Sequence, residues 1–185
     1  MPGVKYLAAG TYMNIKKCTY NDIPQLADIA LRSYREHYTH LWHDNGEWYM
    51  QSRFNYDKLH EEMTDPDAAF FLVYTEQKIT GFIKLNIDKA TDNFSAAESM
   101  ELERIYFIKE ASGRGAGKHA MNFIIDIAKQ KNKKLLWLKA MDSSPAVEFY
   151  KKQGFAITGE TWLDFIEMKD EYKRMFIMYL PLDNG

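Results

Sequence analysis

The stretch that decides the fold of this chain runs from residue 100 to residue 118 and reads MELERIYFIKEASGRGAGK in one-letter code. Residues 100–108 have the apolar and β-branched composition of a strand. A helix is predicted directly after the stretch, because apolar residues recur at spacings of three and four on one face, at Ala120, Phe123, Ile124, Ile127 and Ala128. A strand, a glycine-rich loop and a helix in this order predict a parallel step to the next strand.

The glycine-rich loop is predicted to bind an anion. A helix N-terminus exposes unpaired backbone N–H groups and the positive end of the helix dipole. Glycines at 113, 115 and 117 let the backbone curl so that several N–H groups converge on one phosphate. Arg114 and Lys118 add positive charge beside them.

Two other phosphate-binding motifs fit the loop less well. A nucleotide P-loop fails twice, since Ser112 replaces its first glycine and His119 follows Lys118. A dinucleotide fingerprint is satisfied by Gly115, Gly117 and Ala120, but the acidic residue expected about 20 positions later is missing. Taken alone, the loop is also compatible with a simple helix-capping turn.

Length and composition predict one globular domain. The chain has 185 residues, of which 46% are apolar and 27% charged, and its formal net charge is −2. This balance argues against nucleic acid or an anionic membrane as a partner. The single cysteine, Cys18, excludes an internal disulfide and is interpreted as a small buried hydrophobe in a first strand. With no apolar stretch of about 20 residues and no secretory signal, we expect a cytoplasmic protein.

The remaining pattern predicts the order β α α β β β α β α β β. Residues 1–12 are interpreted as an extension and residues 13–185 as the domain, because regular patterning begins only near Met13. The less regular segment 36–63 is predicted to hold the end of the first helix, a loop and a second helix. The other predicted strands and helices cover residues 14–18, 23–34, 70–74, 79–87, 134–140, 145–153, 155 onward and 174–180.

A second motif follows the helix and identifies a family. The sequence of residues 143–155 is SSPAVEFYKKQGF. Together with the loop, it resembles the acetyl-CoA-binding core of the GNAT N-acetyltransferase superfamily, whose pattern is Q/R-x-x-G-x-G/A followed by N-x-x-A-x-x-F/L-Y-x-x-x-G-F. Ser112 and Ser143 depart from the first residue of each motif. Within the superfamily, residues 102–106 and 149–155 are most similar to bacterial spermidine/spermine acetyltransferases.

The resemblance implies a single α/β domain with a central mixed sheet, splayed parallel strands and flanking helices. It implies acetyl-CoA as co-substrate, and no metal. The pantetheine arm of CoA would pair with the strand at Ile105, Tyr106 and Phe107, and the N–H of Phe107 would donate to the thioester carbonyl. The other residues implied in cofactor binding are Gly113, Arg114, Gly115, Ala116, Gly117, Lys118, Ser143, Ala146 and Tyr150.

The resemblance also implies catalytic roles. Tyr150 aligns with the tyrosine that protonates the CoA sulfur in many family members, although it could equally anchor a short helix. Glu103 is the expected base, through a water, and Glu101, two residues earlier on the same face, is the alternative. The two carboxylates could instead bind a cationic amine, or be plain exposed glutamates at a strand edge.

An aromatic and histidine-rich segment spans residues 34–49. His37, His40 and His43 recur at steps of three, but they drift around a helix and no further ligand completes a metal set, so we expect no metal. Tyr34 and Trp42 are expected to border the acceptor pocket, where aromatic faces hold cationic amines. Packing in a small core or a homodimer contact is the equal alternative.

The leading hypothesis is direct acetyl transfer from acetyl-CoA to a primary amine, such as a polyamine or another small cationic amine. Acetylation of a protein or peptide amino group is the second hypothesis, and a non-catalytic acyl-CoA-binding regulatory module is the third. DNA binding through Lys129, Lys131, Lys133 and Lys134 is disfavoured, since cations at a helix C-terminus are ordinary.

Overall fold

The computed structural model describes residues 5–6, 12–111, 113 and 115–182. Ser112, Arg114 and most of the predicted N-terminal extension therefore lie outside the described residues. Within them, eight strands are present: β1 (Lys5–Tyr6), β2 (Tyr12–Lys17), β3 (Ala68–Thr75), β4 (Lys78–Asn86), β5 (Ser99–Phe107), β6 (Leu135–Met141), β7 (Ala156–Trp162) and β8 (Arg174–Pro181).

Five α-helices accompany these strands in the described part of the chain: α1 (Ile23–His37), α2 (Glu47–Arg53), α3 (Tyr56–Thr64), α4 (Ala116–Gln130) and α5 (Ala146–Lys152). The prediction of one helix in the second half of segment 36–63 is wrong, since Asn55 caps the start of α3 by accepting from the N–H of Lys58 and so separates it from α2. No helix among the described residues is long and apolar enough to cross a membrane.

The predicted mixed sheet is confirmed. Its strand order is β1-β2-β3-β4-β5-β6-β8-β7, and among the described strands β5 and β6 form the parallel pair, while the other neighbours are antiparallel. The helix α4 connects β5 to β6, as the βαβ pattern predicts. The short strand β1 pairs with Tyr12 and Met13 at the start of β2.

Amphipathic helices close the core over the sheet. Helix α1 buries Leu26, Ala30 and Tyr34, and α4 buries Ala120 and Ile124, as their spacing predicts. Cys18 follows β2 rather than lying in it and is buried, and this burial raises the pKa of its thiol to about 12. The predicted role of Cys18 as a small core residue agrees with this protonated state.

Strands β5 and β6 separate part of the way along their length. Their parallel pairing covers only four residue pairs, from Ser99 with Leu135 to Leu102 with Leu138. Beyond that point β5 stays paired with β4 as far as Phe107, and β6 stays paired with β8 as far as Met141. A wedge therefore opens within the sheet between the ends of β5 and β6.

Gly81 allows β4 to approach β5 at this open end. A Cβ atom at Gly81 would lie 2.5 Å from the backbone oxygen of Tyr106 and 2.6 Å from Cδ1 of Phe107. Both distances are shorter than any real Cβ contact, and a backbone oxygen cannot rotate away. Because residue 81 has no side chain, β4 can lie this close to the part of β5 that borders the wedge.

We expect Gly81→Ala to lower the free energy of unfolding by about 1–3 kcal/mol through overpacking. Gly159→Ala in β7 is the matched control, because its nearest neighbour would be Cδ1 of Ile177 at an ordinary 3.7 Å. Urea unfolding of both variants measures the difference. Equal stability of the two variants would show that β5 moves away from residue 81 without cost.

Candidate active site

A β-bulge in β5 places the polar residues of the site on one face of the sheet. The partner of Lys84 is Arg104, whereas the partner of the next residue, Leu85, is Leu102, so Glu103 is the extra residue. Regular alternation would place Glu101 and Arg104 on opposite faces. The bulge instead brings Glu101, Glu103 and Arg104 to the face that α1 to α3 cover.

Glu103 is held in a network of four charged side chains, of which Lys84 and Arg104 are buried and the two glutamates are partly exposed. Its carboxylate accepts from Nζ of Lys84 at 2.8 Å and from Nη2 of Arg104 at 3.1 Å. Glu62 of α3 accepts from the same two cations at 2.9 Å each. Nδ2 of Asn86 also donates to Glu103, at 2.8 Å. Two carboxylates and two cations thus compensate one another where their isolated burial would be costly.

The two predicted glutamates differ in their surroundings. Glu101 accepts a hydrogen bond from Nδ2 of Asn86 at 2.7 Å, and burial raises the pKa of its carboxyl. Burial acts in the same direction on Glu103, but the charges of Arg104 and Lys84 outweigh it and lower the pKa of that carboxyl. Glu101 is therefore the more basic carboxylate of the pair.

A cavity of about 440 Å³ lies against this face, at the start of the wedge. Both predicted acceptor residues, Tyr34 and Trp42, line it, and Nε1 of Trp42 donates to the hydroxyl of Tyr34 at 2.9 Å. Tyr38, Tyr49 and Phe165 complete an aromatic wall. Glu101, Glu103 and Asn86 face the cavity from the sheet.

Tyr150 enters the same cavity from α5, on the far side of the wedge. Its ring packs against Phe149 and Phe155, so it anchors the short helix as well as facing the cavity. Burial raises the pKa of its hydroxyl, which is therefore protonated at neutral pH. The cavity thus brings together a basic carboxylate from β5 and a protonated phenol from α5.

The glycine loop forms the N-terminus of α4 at the open end of the wedge. Gly113 and Gly115 have φ angles of 76° and 82°, in the left-handed region that favours glycine, and Gly115 is the N-cap. A Cβ atom on Gly117 would lie in van der Waals contact with the ring of Phe149, at 3.4 Å. Ala116 is buried and Lys118 is exposed, whereas the predicted contact of Arg114 lies outside the described residues.

Along the edge of β5 that borders the wedge, backbone N–H and C=O groups point into the wedge at alternate residues. The N–H of Ile108 donates to the oxygen of Thr80 at 2.9 Å, so these two residues form a hydrogen-bonded pair. In an antiparallel ladder the next pair points its backbone groups outward. Phe107 and Ile105 therefore present N–H and C=O groups to the wedge, whereas Tyr106 faces β4 with its backbone and the cavity with its side chain.

The second motif contributes through the neighbours of Ser143. Ser143 itself is exposed and does not line the cavity, whereas Ser144 and Ala146 do. Oγ of Ser144 accepts from the N–H of Ala146 at 3.2 Å and stabilises the first turn of α5. The residue that replaces the asparagine of the motif thus lies beside the wedge and outside the cavity.

Several polar residues of the site were not found from the sequence. Glu62, Lys84 and Asn86 belong to elements that were interpreted only as helix and hairpin. A lysine at residue 84, within an otherwise apolar strand, is the one available signal of a buried ion pair. Among the described residues, no group of three or more His, Cys, Asp or Glu side chains could hold a metal ion.

Curated proteins with sequences similar to this chain include N-acetyltransferases. The chain is 29% identical over 107 residues to an uncharacterized N-acetyltransferase encoded in the pepI 3′ region of Lactobacillus delbrueckii subsp. lactis, covering 57% of this chain and 62% of that protein. The chain spans about three-fifths of the length of the curated relatives it matches.

Solved structures share the fold at lower identity. A PaiA N-acetyltransferase from Thermoplasma acidophilum in complex with coenzyme A has a TM-score of 0.72 at 22% identity, over 92% of this chain and 99% of that one. A spermidine N-acetyltransferase from Vibrio cholerae, in complex with CoA and spermine, has a TM-score of 0.68 at 19% identity, over 91% and 95%. A ribosomal-protein-alanine N-acetyltransferase from Brucella melitensis also has a TM-score of 0.68, at 17% identity over 91% and 99%.

The family assignment rests on the sequence itself. The profile of the acetyltransferase (GNAT) family matches residues 23–155, which include β5, the glycine loop, α4 and α5. These are the elements that build the wedge and the cavity. A match over this much of the sequence shows that the chain belongs to the acetyltransferase (GNAT) family.

Proposed function

We propose that this protein is an N-acetyltransferase that transfers the acetyl group of acetyl-CoA directly to a primary amine. The observation that carries the proposal is the wedge between β5 and β6, which opens into a cavity lined by both Glu101 and Tyr150. One group can accept a proton from an amine, and the other can donate one to a leaving thiolate. Family membership supports the same chemistry.

The open end of the wedge fits acetyl-CoA. Gly113, Gly115 and Gly117 leave the backbone at the N-terminus of α4 accessible to a pyrophosphate. The outward N–H and C=O groups of Ile105 and Phe107 can pair with the amides of a pantetheine arm. Acetyl-CoA supplies the activated thioester, and the N–H of Phe107 would stabilise charge on its carbonyl oxygen.

Glu101 is the proposed general base, in place of the expected Glu103. Its raised pKa and its single hydrogen bond from Asn86 leave it able to accept a proton from an ammonium group or from an intervening water. Glu103 is held by Lys84, Arg104 and Asn86, so protonating it would disrupt three contacts. We assign Glu103 a positioning role, because it orients the amide that contacts Glu101.

Tyr150 is the proposed general acid. Tyr150 lines the cavity from α5, whereas Glu101 lines it from β5, and the Tyr150 hydroxyl is protonated at neutral pH. An acid and a base on different elements can act on the thiolate and the amine separately. The other tyrosines that line the cavity are Tyr34 on α1, Tyr38 directly after α1, Tyr49 on α2 and Tyr106 on β5.

A CoA-release assay over a panel of amines tests the proposal. The panel includes spermidine, amino acids, aminoglycosides and an N-terminal peptide. We expect at least one amine to stimulate CoA release from acetyl-CoA. Binding of acetyl-CoA without release by any amine would favour a non-catalytic acyl-CoA-binding module, and activity on the peptide alone would favour protein acetylation.

Replacing each glutamate by glutamine separates the two carboxylates. We expect Glu101→Gln to lower kcat about 100-fold or more, because the amide cannot accept the proton. The raised pKa of Glu101 lies above the ordinary glutamate value of 4.5, and the wild-type kcat/KM should fall as the pH falls through it. The pH profile of the variant should not show this decrease.

The matched variant Glu103→Gln should act mainly on stability, since it would leave the two cations Lys84 and Arg104 with the single carboxylate of Glu62. We expect a lower melting temperature and a smaller loss of kcat than for Glu101→Gln. If Glu103→Gln were stable and lost more kcat than Glu101→Gln, Glu103 rather than Glu101 would be the base.

Tyr150→Phe tests the general acid. We expect turnover to fall at least about 10-fold with nearly unchanged affinity for acetyl-CoA, because only the hydroxyl is removed. Tyr56→Phe is the matched control, since the Tyr56 side chain is exposed on α3 outside the cavity. Calorimetric titration with acetyl-CoA and single-turnover kinetics provide the two measurements, and an unchanged rate would exclude Tyr150 from the mechanism.

A further inference from the structure

The charged residues of the cavity wall carry more positive than negative charge. Among the residues that the structure describes, six charged side chains line the cavity: Arg53, Lys89, Arg104, Lys139, Glu101 and Glu103. Four are cations and two are carboxylates. This balance is the reverse of what an acceptor with several ammonium groups would need.

Salt bridges within the protein already compensate part of this charge. Arg104 and Glu103 form the neutral network with Lys84 and Glu62, in which each carboxylate contacts both cations. Once these four charges are set aside, the wall retains three cations and the carboxylate of Glu101. The cations that remain are therefore available to a ligand.

Arg53 is the best placed of these cations. It ends α2, its side chain is half-buried, and its guanidinium lies 5.9 Å from the centre of the Phe165 ring. In the part of the chain that the structure describes, no carboxylate pairs with it. A guanidinium that is partly dehydrated, oriented by a ring and without a counter-ion is a preferred partner for a carboxylate or phosphate.

Lys139 is a second cation of the cavity wall, and it lies near the end of the wedge where β5 and β6 are still paired. It follows Leu138, the last residue of β6 that pairs with β5, and its ammonium lies 5.6 Å from the centre of the Trp137 ring. Trp137 is the register partner of Glu101, so Lys139 lies near the proposed base. Among the described residues, no carboxylate forms a salt bridge with Lys139 either.

The anion that these cations would bind is separate from the pyrophosphate of acetyl-CoA. The proposed pyrophosphate site lies at the N-terminus of α4, beyond Phe107. Glu101 and Lys139 lie at the other end of the wedge, and the strand between them and Phe107 spans roughly 15–20 Å at about 3.3 Å per residue. Arg53 belongs to α2, on the acceptor side of the cavity.

We propose that the acceptor is a primary amine that also carries an anionic group, either a carboxylate or a phosphate, which Arg53 binds. The inference rests on the proposed function, and it narrows the acceptor class. The amine would face Glu101 and Asn86, the aromatic wall would contact the skeleton, and the anion would meet the unpaired guanidinium. A polyamine would instead bring several ammonium groups to a wall with a surplus of cations.

Matched pairs of amines test this directly, because each pair differs in the anionic group. The pairs are 4-aminobutyrate with 1,4-diaminobutane, tyrosine with tyramine, and phosphoethanolamine with ethanolamine. For the wild-type protein we expect kcat/KM to be at least about 10-fold higher for the anion-bearing member of one or more pairs. The first two pairs report on carboxylate and the third on phosphate.

Arg53→Gln should reduce this preference, expressed as the ratio of kcat/KM within a pair, by about 10- to 100-fold, the range for a lost charge-assisted hydrogen bond. Arg53→Lys should give an intermediate ratio, because lysine keeps the charge but lacks the planar guanidinium that can donate two parallel hydrogen bonds to one anion. Arg35→Gln removes the same charge from an exposed position on α1 and should leave the ratio unchanged.

The outcomes separate the inference from the function on which it rests. A preference of the wild-type protein for diamines or spermidine would overturn the inference while the acetyltransferase proposal stands. A preference for anion-bearing amines that survives Arg53→Gln would also overturn the role of Arg53. If no amine of any pair or of the larger panel released CoA, the proposed function itself would fail. The wild-type comparison requires no variant, so a poorly folded Arg53→Gln protein would not block the test.

Discussion

The structure of the site depends on one constraint, the limited parallel pairing of β5 with β6. After Leu102 and Leu138 the two strands follow different partners, so the outward N–H and C=O groups of Ile105 and Phe107 have no strand beside them. Backbone polar groups left unpaired in a protein interior are costly. A ligand with its own amide groups, as proposed for acetyl-CoA, would relieve that cost, and the glycine loop beyond Phe107 would offer N–H groups to its anionic end.

The bulge at Glu103 gives the same strand a second role. It turns two glutamates and an arginine toward the helices, where Lys84 and Glu62 complete a neutral network. The network lowers the pKa of Glu103 and leaves Glu101 as the carboxylate with the raised pKa. Two glutamates only two positions apart thus acquire different properties, because one contacts two cations and the other does not.

The sequence predicted the strands, the connecting helix and the glycine loop well, because these depend on local periodicity and on backbone geometry. The mixed sheet followed from the βαβ pattern. The choice between Glu101 and Glu103 could not be predicted in the same way, because it depends on a bulge and on Glu62, which lies about 40 residues away in the chain. Regular alternation treats the two glutamates as equivalent. Similarly, Arg53 and Phe165 carry no local signal of their contact.

The proposed acceptor wall and the proposed cofactor site are built by different elements of the fold. The wedge is built by backbone pairing within the sheet, so substitutions there disturb the fold. The acceptor wall comes from α1, α2 and the β7–β8 connection, and it is held together by contacts such as the backbone bond from His43 to Glu167. Side chains such as Arg53 can change on this wall without altering any strand register. Under the proposed function, selectivity for the acceptor would therefore depend on the charge of a few wall residues, whereas the chemistry would depend on the sheet.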